Sequence, residues 1–110
     1  MPQDHRLVWT RSATRDYEAI LDYVVERDGV LAARILDEKL DEEILALRTV
    51  PKRCRIVPEL RAEGIETYRE LIVKPYRVVF RLQGRQVILL AVLDGRRDLQ
   101  EILVRRALED

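Results

Sequence analysis

The chain is poor in the residues that usually carry chemistry. It has 110 residues but only one histidine, His5, and one cysteine, Cys54. With no second imidazole or thiol ligand at any spacing, neither a zinc site nor an internal disulfide is expected, and no metal or cofactor is assigned. An unpaired cysteine suits a reducing compartment, so a cytoplasmic location is expected. Cys54 lies between Arg53 and Arg55, cations that would lower a thiol's pKa, but nothing places His5 beside it as a base. It reads as an incidental residue of a connector. The four glycines are scattered, which excludes a glycine-rich phosphate loop. The few hydroxyl residues (Thr10, Ser12, Thr14, Thr49, Thr67) sit in no nucleophile-type turn. Long apolar runs are missing too. The longest, Val87–Leu93, has seven residues against the roughly 20 that a membrane-spanning helix needs, and "MPQDHRLVWT" has no signal-peptide core. No membrane partner is expected.

Net charge is also absent: 20 Lys and Arg balance 20 Asp and Glu. Affinity for nucleic acid through bulk attraction is therefore not expected. The balance hides an asymmetry. Residues 12–50 hold ten acids and five bases, whereas residues 67–108 hold nine bases and four acids. The acidic run Asp37, Glu38, Asp41, Glu42 and Glu43 follows a helix face and reads as a solvated or partner-facing surface.

What is present is strong periodicity. "RLVWT" (6–10) reads as a strand. Ser12 offers a helix N-cap with Asp16 near the first turn, and Ala13, Tyr17, Ile20, Leu21, Val24 and Val25 recur on one helical face until Asp28-Gly29. Leu36, Leu40, Ile44 and Leu47 mark a second helix bounded by Pro51. The two form a helical hairpin able to lay its apolar stripes on a sheet. Residues 51–66 lack a period and read as an ordered connector. Three strands then follow closely, 68–73, 76–82 and 86–93, joined by turns short enough to impose antiparallel pairing. In the middle strand Tyr76, Val78, Phe80 and Leu82 share one face and Arg77, Val79 and Arg81 the other. The last strand is apolar on both faces and reads as central, with 6–10 on its free side. Asp98 and Glu101 fit a capping box ahead of a final helix carrying Leu99, Ile102 and Leu103. The whole reads as one α+β domain over residues 1–110.

With other chemistry set aside, arginine remains. Arg69, Arg77 and Arg81 project from strands, Arg96 and Arg97 leave the end of the last strand, and Arg105 and Arg106 lie on the final helix. A planar guanidinium suits phosphate or carboxylate. Two readings stand side by side: these side chains solvate an open sheet face, or they form a basic groove for an acidic or phosphate-bearing partner.

"VPEL" (57–60), "YREL" (68–71), "PYRVVFR" (75–81) and "GRRDL" (95–99), in this order and spacing, resemble the ParE/RelE toxins of bacterial type II toxin–antitoxin modules. The resemblance covers nearly the whole chain. It implies a β-α-α-β-β-β-α fold, a helical hairpin packed on a twisted, mainly antiparallel four-stranded sheet. It also implies a cognate antitoxin whose acidic C-terminal segment wraps the toxin, in a heterotetramer or beside a toxin homodimer, and apolar toxin surface where that segment docks. The family divides into a RelE-like branch that cuts mRNA on the ribosome and a ParE-like branch that inhibits DNA gyrase. On the RelE-like pattern Arg77 and Arg97 fall on sheet and exit arginines that handle phosphate, and Arg69 falls on a lysine. The C-terminal tyrosine of that pattern falls near Leu103, and this chain ends "LVRRALED" with neither Tyr nor His. The ParE-like branch is therefore favoured. Arg69, Arg77, Arg81, Arg96, Arg97, Arg105 and Arg106 are then partner-binding groups, the segment Asp94–Arg106 is the expected contact region, and gyrase is the expected target. The alternative is a ribosome-dependent endoribonuclease that uses Arg77, Arg97 and Arg69 on an RNA substrate.

Overall fold

A computed structural model describes residues 4–110. The chain runs β1 (Arg6–Trp9), α1 (Arg11–Asp28), α2 (Val30–Leu45), two short 3₁₀ turns, β2 (Arg55–Ile56), α3 (Pro58–Arg61), β3 (Tyr68–Val73), β4 (Tyr76–Gln83), β5 (Gln86–Asp94) and α4 (Gln100–Glu109). The strands order as β1-β5-β4-β3-β2, with β1 parallel to β5 and every other pair antiparallel. The expected α+β architecture is present, with one more strand than expected. The connector contributes Arg55–Ile56, which extends the sheet beyond β3.

Local chemistry explains most boundaries. Thr10, not Ser12, caps α1: its hydroxyl accepts from the Ala13 amide at 3.2 Å and donates to the Leu89 carbonyl at 2.7 Å. One side chain thus ends β1 and starts the helix. The β3–β4 hairpin closes over Lys74-Pro75, and the β4–β5 hairpin over Gly84-Arg85, where Gly84 takes a φ of 59° that glycine adopts without a Cβ penalty. The capping box at the last helix does not form. Asp98 accepts from the Gln100 amide at 3.2 Å, and Leu99 at the cap position is instead buried in the core.

The sheet is covered on both faces. Against one lie the hairpin residues Ala13, Leu40 and Ile44, which meet Leu71, Val78, Phe80, Leu89 and Val92. Against the other lie Leu60 of α3 and Leu99 and Leu103 near and on α4, which meet Tyr68, Val79, Leu90 and Ala91. A bulge makes the second core possible. Val79 pairs with Ala91 but Phe80 pairs with Leu89, so Leu90 and Ala91 both point to the α4 side. The face of Arg77, Val79 and Arg81, read from the sequence as open, is thus roofed by α3 and α4. Apolar burial on each face, at roughly 1.5–3 kcal/mol per large side chain, holds both helical layers down.

Candidate partner-binding arginines

Arg77 points from β4 into the second core and is only 9% exposed. Its Nε donates to Glu70 Oε1 at 2.6 Å, and its two terminal nitrogens donate to the two oxygens of Glu59, each at 2.6 Å. Glu70 is 2% exposed and also accepts from Arg55 Nε. The hairpin register builds this cluster. Glu70 pairs with Val79 and Ile72 with Arg77, so Glu70 and Arg77 are diagonal neighbours on one face. Glu59 arrives in the first turn of α3, started by Pro58. The Arg77 bonds, partly offset by burial, hold the Glu59 carboxyl below the ordinary carboxylate range. Glu59, then burial acting in the opposite sense, then Glu70 set a net upward shift for Arg77. Gly95 closes over the arginine stem: a Cβ there would stand 2.9 Å from Arg77 Cδ and 3.0 Å from the Pro75 carbonyl oxygen.

Three more of the expected arginines are engaged within the fold. Arg69 donates to the Cys54 carbonyl at 2.6 Å, which pins the connector to β3. Arg81 donates to Asp110 at 2.6 Å, and the same carboxylate accepts from the Tyr68 hydroxyl. Burial and that bond push the Tyr68 phenol up to about 12. Arg106 forms a two-nitrogen pair with Asp16 at 2.8 and 2.9 Å and donates to the Leu90 carbonyl at 3.2 Å. Asp16 also accepts from the Val92 amide at 3.0 Å. Because β1 stops at Trp9, these two side chains satisfy β5 backbone groups past the end of the parallel ladder. Asp16 therefore serves the sheet edge and not the α1 first turn.

The remaining three lie at the β5 exit and on α4. Arg96 is exposed and pairs with Asp94 at 2.7 and 3.0 Å, and Asp94 also accepts from the Arg96 amide, which folds the turn. The Asp94 carboxyl is held at about 2, chiefly by its bond to Arg96. Among the described residues the exposed side chains of Arg97 and Arg105 have no hydrogen-bond or ion-pair partner, and both line a cleft beside Leu99 and Ile102. Cys54 is buried, and burial pushes its thiol up despite the nearby arginines. Leu103, near which the resemblance placed a tyrosine, is fully buried against the sheet. Exposed apolar side chains gather on the helical hairpin: Tyr23 and Val25 on α1, Val30, Leu31 and Ile35 on α2.

Sequence reading missed the acids that claim these cations: Glu59, Glu70, Asp16 and Asp110. One signal was present. Glu70 is the one acid in the strand Tyr68–Val73, and the two-residue turn at Lys74-Pro75 sets it diagonal to Arg77.

Comparison with known proteins agrees with this architecture. The family model for the ParE toxin of the type II toxin–antitoxin system, parDE, matches residues 7–99. Toxin ParE3 of Caulobacter vibrioides is 32% identical over 94 residues, covering 86% of this chain and 90% of that protein. A solved structure, described as a chromosomal ParDE TA system from P. aeruginosa, superposes with a TM-score of 0.69 at 25% identity, over 82% of this chain and 95% of that one. A family-model match over residues 7–99 and a relative 32% identical over 86% of the chain show that it belongs to the ParE toxin family of type II toxin–antitoxin systems.

Proposed function

We propose that this ParE-family chain arrests growth by binding a protein target, DNA gyrase, without covalent chemistry of its own, and that a cognate antitoxin neutralises it through an acidic C-terminal segment. Family membership supports the toxin role. The observation that carries the choice of mechanism is the state of Arg77. A guanidinium that stabilises a scissile phosphate must be free to meet it. Here all three nitrogens already donate to Glu59 and Glu70. Withdrawing it would leave the buried Glu70 with Arg55 alone and Glu59 with no cation, at a cost of up to roughly 3–5 kcal/mol. Near Leu103, where the RNA-cleaving pattern has a tyrosine, the final helix likewise offers neither Tyr nor His for proton transfer. Arg97 and the exit turn remain available for contact.

The test is direct. Purified chain is added to gyrase and relaxed plasmid, and in parallel to a translation extract carrying a labelled mRNA. Loss of supercoiling with accumulation of cleaved plasmid, and intact mRNA, is the expected pair of results. Cleaved mRNA with unimpaired supercoiling would replace gyrase binding by the nuclease mechanism.

A further inference from the structure

Where β5 leaves the sheet, its exit turn and the side of α1 enclose a groove of about 410 Å³. Ala19, Ile20, Tyr23 and Tyr76 line it with apolar and aromatic surface, and Asp94, Arg96 and Arg97 supply its charged groups, two cations against one acid. Arg27 stacks on the Tyr23 ring, 5.1 Å from its centroid, and steadies it.

Tyr76 sets this groove apart from the other surface clefts. The residue is only 7% exposed, yet its hydroxyl has no hydrogen-bond partner among the described residues, whereas Tyr68 and Tyr17 both donate to carboxylates. Among those residues no fully buried side-chain oxygen or nitrogen lacks a partner. The Tyr76 hydroxyl must therefore reach solvent, and the groove it lines is its outlet. Burial, with Asp94 adding to it, pushes this phenol up, so it is a protonated donor at neutral pH.

Charge counting fixes what the groove can hold. Asp94 neutralises Arg96 across a 2.7 Å pair, and Asp28 neutralises Arg27 at 2.8 Å. Arg97 is the surplus cation. One free guanidinium and one free hydroxyl beside apolar surface match a single carboxylate carried on an apolar segment. A run of phosphates would set further negative charge against Asp94, which stays ionised in its pair with Arg96.

We propose that this groove seats an acidic side chain of the antitoxin segment, its carboxylate accepting from Arg97 and Tyr76 while an apolar neighbour lies on Ile20 and Tyr23. This rests on the antitoxin reading above and names where on the toxin that segment docks. The experiment uses the full chain co-expressed and purified with the protein encoded beside it, with affinities measured by calorimetry on the separated partners. Arg97→Glu is expected to weaken the complex at least about tenfold and Tyr76→Phe about threefold, each the scale of one or part of one charge-assisted hydrogen bond. Arg85→Glu, the same charge change in the β4–β5 turn at the other end of the sheet, should leave affinity unaltered. Both groove variants should keep the wild-type urea midpoint, since Arg97 is exposed and Phe retains the ring. Wild-type affinity in both groove variants would overturn the groove assignment and leave the antitoxin reading standing. Absence of any complex would overturn both. Binding of a 12-nucleotide single-stranded DNA that is lost in Arg97→Glu, with the protein complex unaffected, would give the groove to nucleic acid and end the proposal.

Discussion

Arg77 and Arg97 sit at the same end of the sheet, one at the start of β4 and the other just past the end of β5, and they live in opposite worlds. Arg77 is held by two carboxylates, beside a glycine that leaves no room for a Cβ next to its stem. Arg97 stands in solvent with no side-chain partner among the described residues. The residue type is the same, so the difference lies in the acids around it. A guanidinium becomes architecture when buried acids surround it and keeps its donors free when they do not. A motif that names both arginines together, as "YRV" and "GRR" do, cannot separate these roles.

The sharpest way to break the comparison is to truncate both. Arg77→Ala leaves the buried Glu70 with only the exposed Arg55 and Glu59 with no cation, and should cost up to about 3–5 kcal/mol in urea denaturation. Arg97→Ala should leave the midpoint where it is. Equal, small losses would mean that Arg77 is as dispensable to the fold as Arg97. A smaller effect is expected from Gly95→Ala, whose methyl group would collide with the Arg77 stem and the Pro75 carbonyl; overpacking of this kind costs about 1–3 kcal/mol, readable as a lowered midpoint with unchanged slope.

Acid titration sharpens the same contrast. Glu59 has a folded pKa below its unfolded value of about 4.3. Its contribution to stability is therefore complete above that unfolded value and is lost as pH falls through the folded one. Glu59→Gln should be less stable than the wild type at pH 7 yet decline less steeply between about pH 5 and pH 2, followed by chemical denaturation at each pH. Parallel curves would show that Glu59 does not report the Arg77 pairing. The smallest effect belongs to Asp110→Asn. The Arg81–Asp110 pair is partly exposed, so only about 0.2–1 kcal/mol is at stake. The Tyr68 phenol should nevertheless fall from about 12 toward its ordinary value, since a carboxylate that raises it has gone. Ultraviolet absorbance of tyrosinate against pH measures this, and an unmoved titration would remove Asp110 from the account.

The sequence reveals the fold's long elements because each carries its own period. Leu36, Leu40 and Ile44 announce α2, and the run Val87–Leu93 announces a central strand. It conceals the short ones. β2 has two residues and α3 four, too few to be stable alone; Val57 and Leu60 hold them by burial in the second core. That layer covers Arg77, so overlooking it made a roofed sheet face look open. The site suffers from the same locality. The arginines are visible at once, but their partners lie far away in the chain, 18 residues for Arg77–Glu59 and 90 for Arg106–Asp16. No periodicity joins such pairs. Arg97 and Arg105, left without a side-chain partner among the described residues, are recognisable only after the others have been assigned.

The clip formed by Asp16 and Arg106 also bears on how anything can approach this molecule. Beyond Trp9 the outer rim of β5 would ordinarily offer an amide and a carbonyl to a visiting strand. Here a carboxylate already takes the Val92 amide and a guanidinium the Leu90 carbonyl. On this stretch of β5 an arriving segment finds both groups already taken and cannot pair with them as an added strand. Recognition at these two positions must read side chains, which ties selectivity there to sequence.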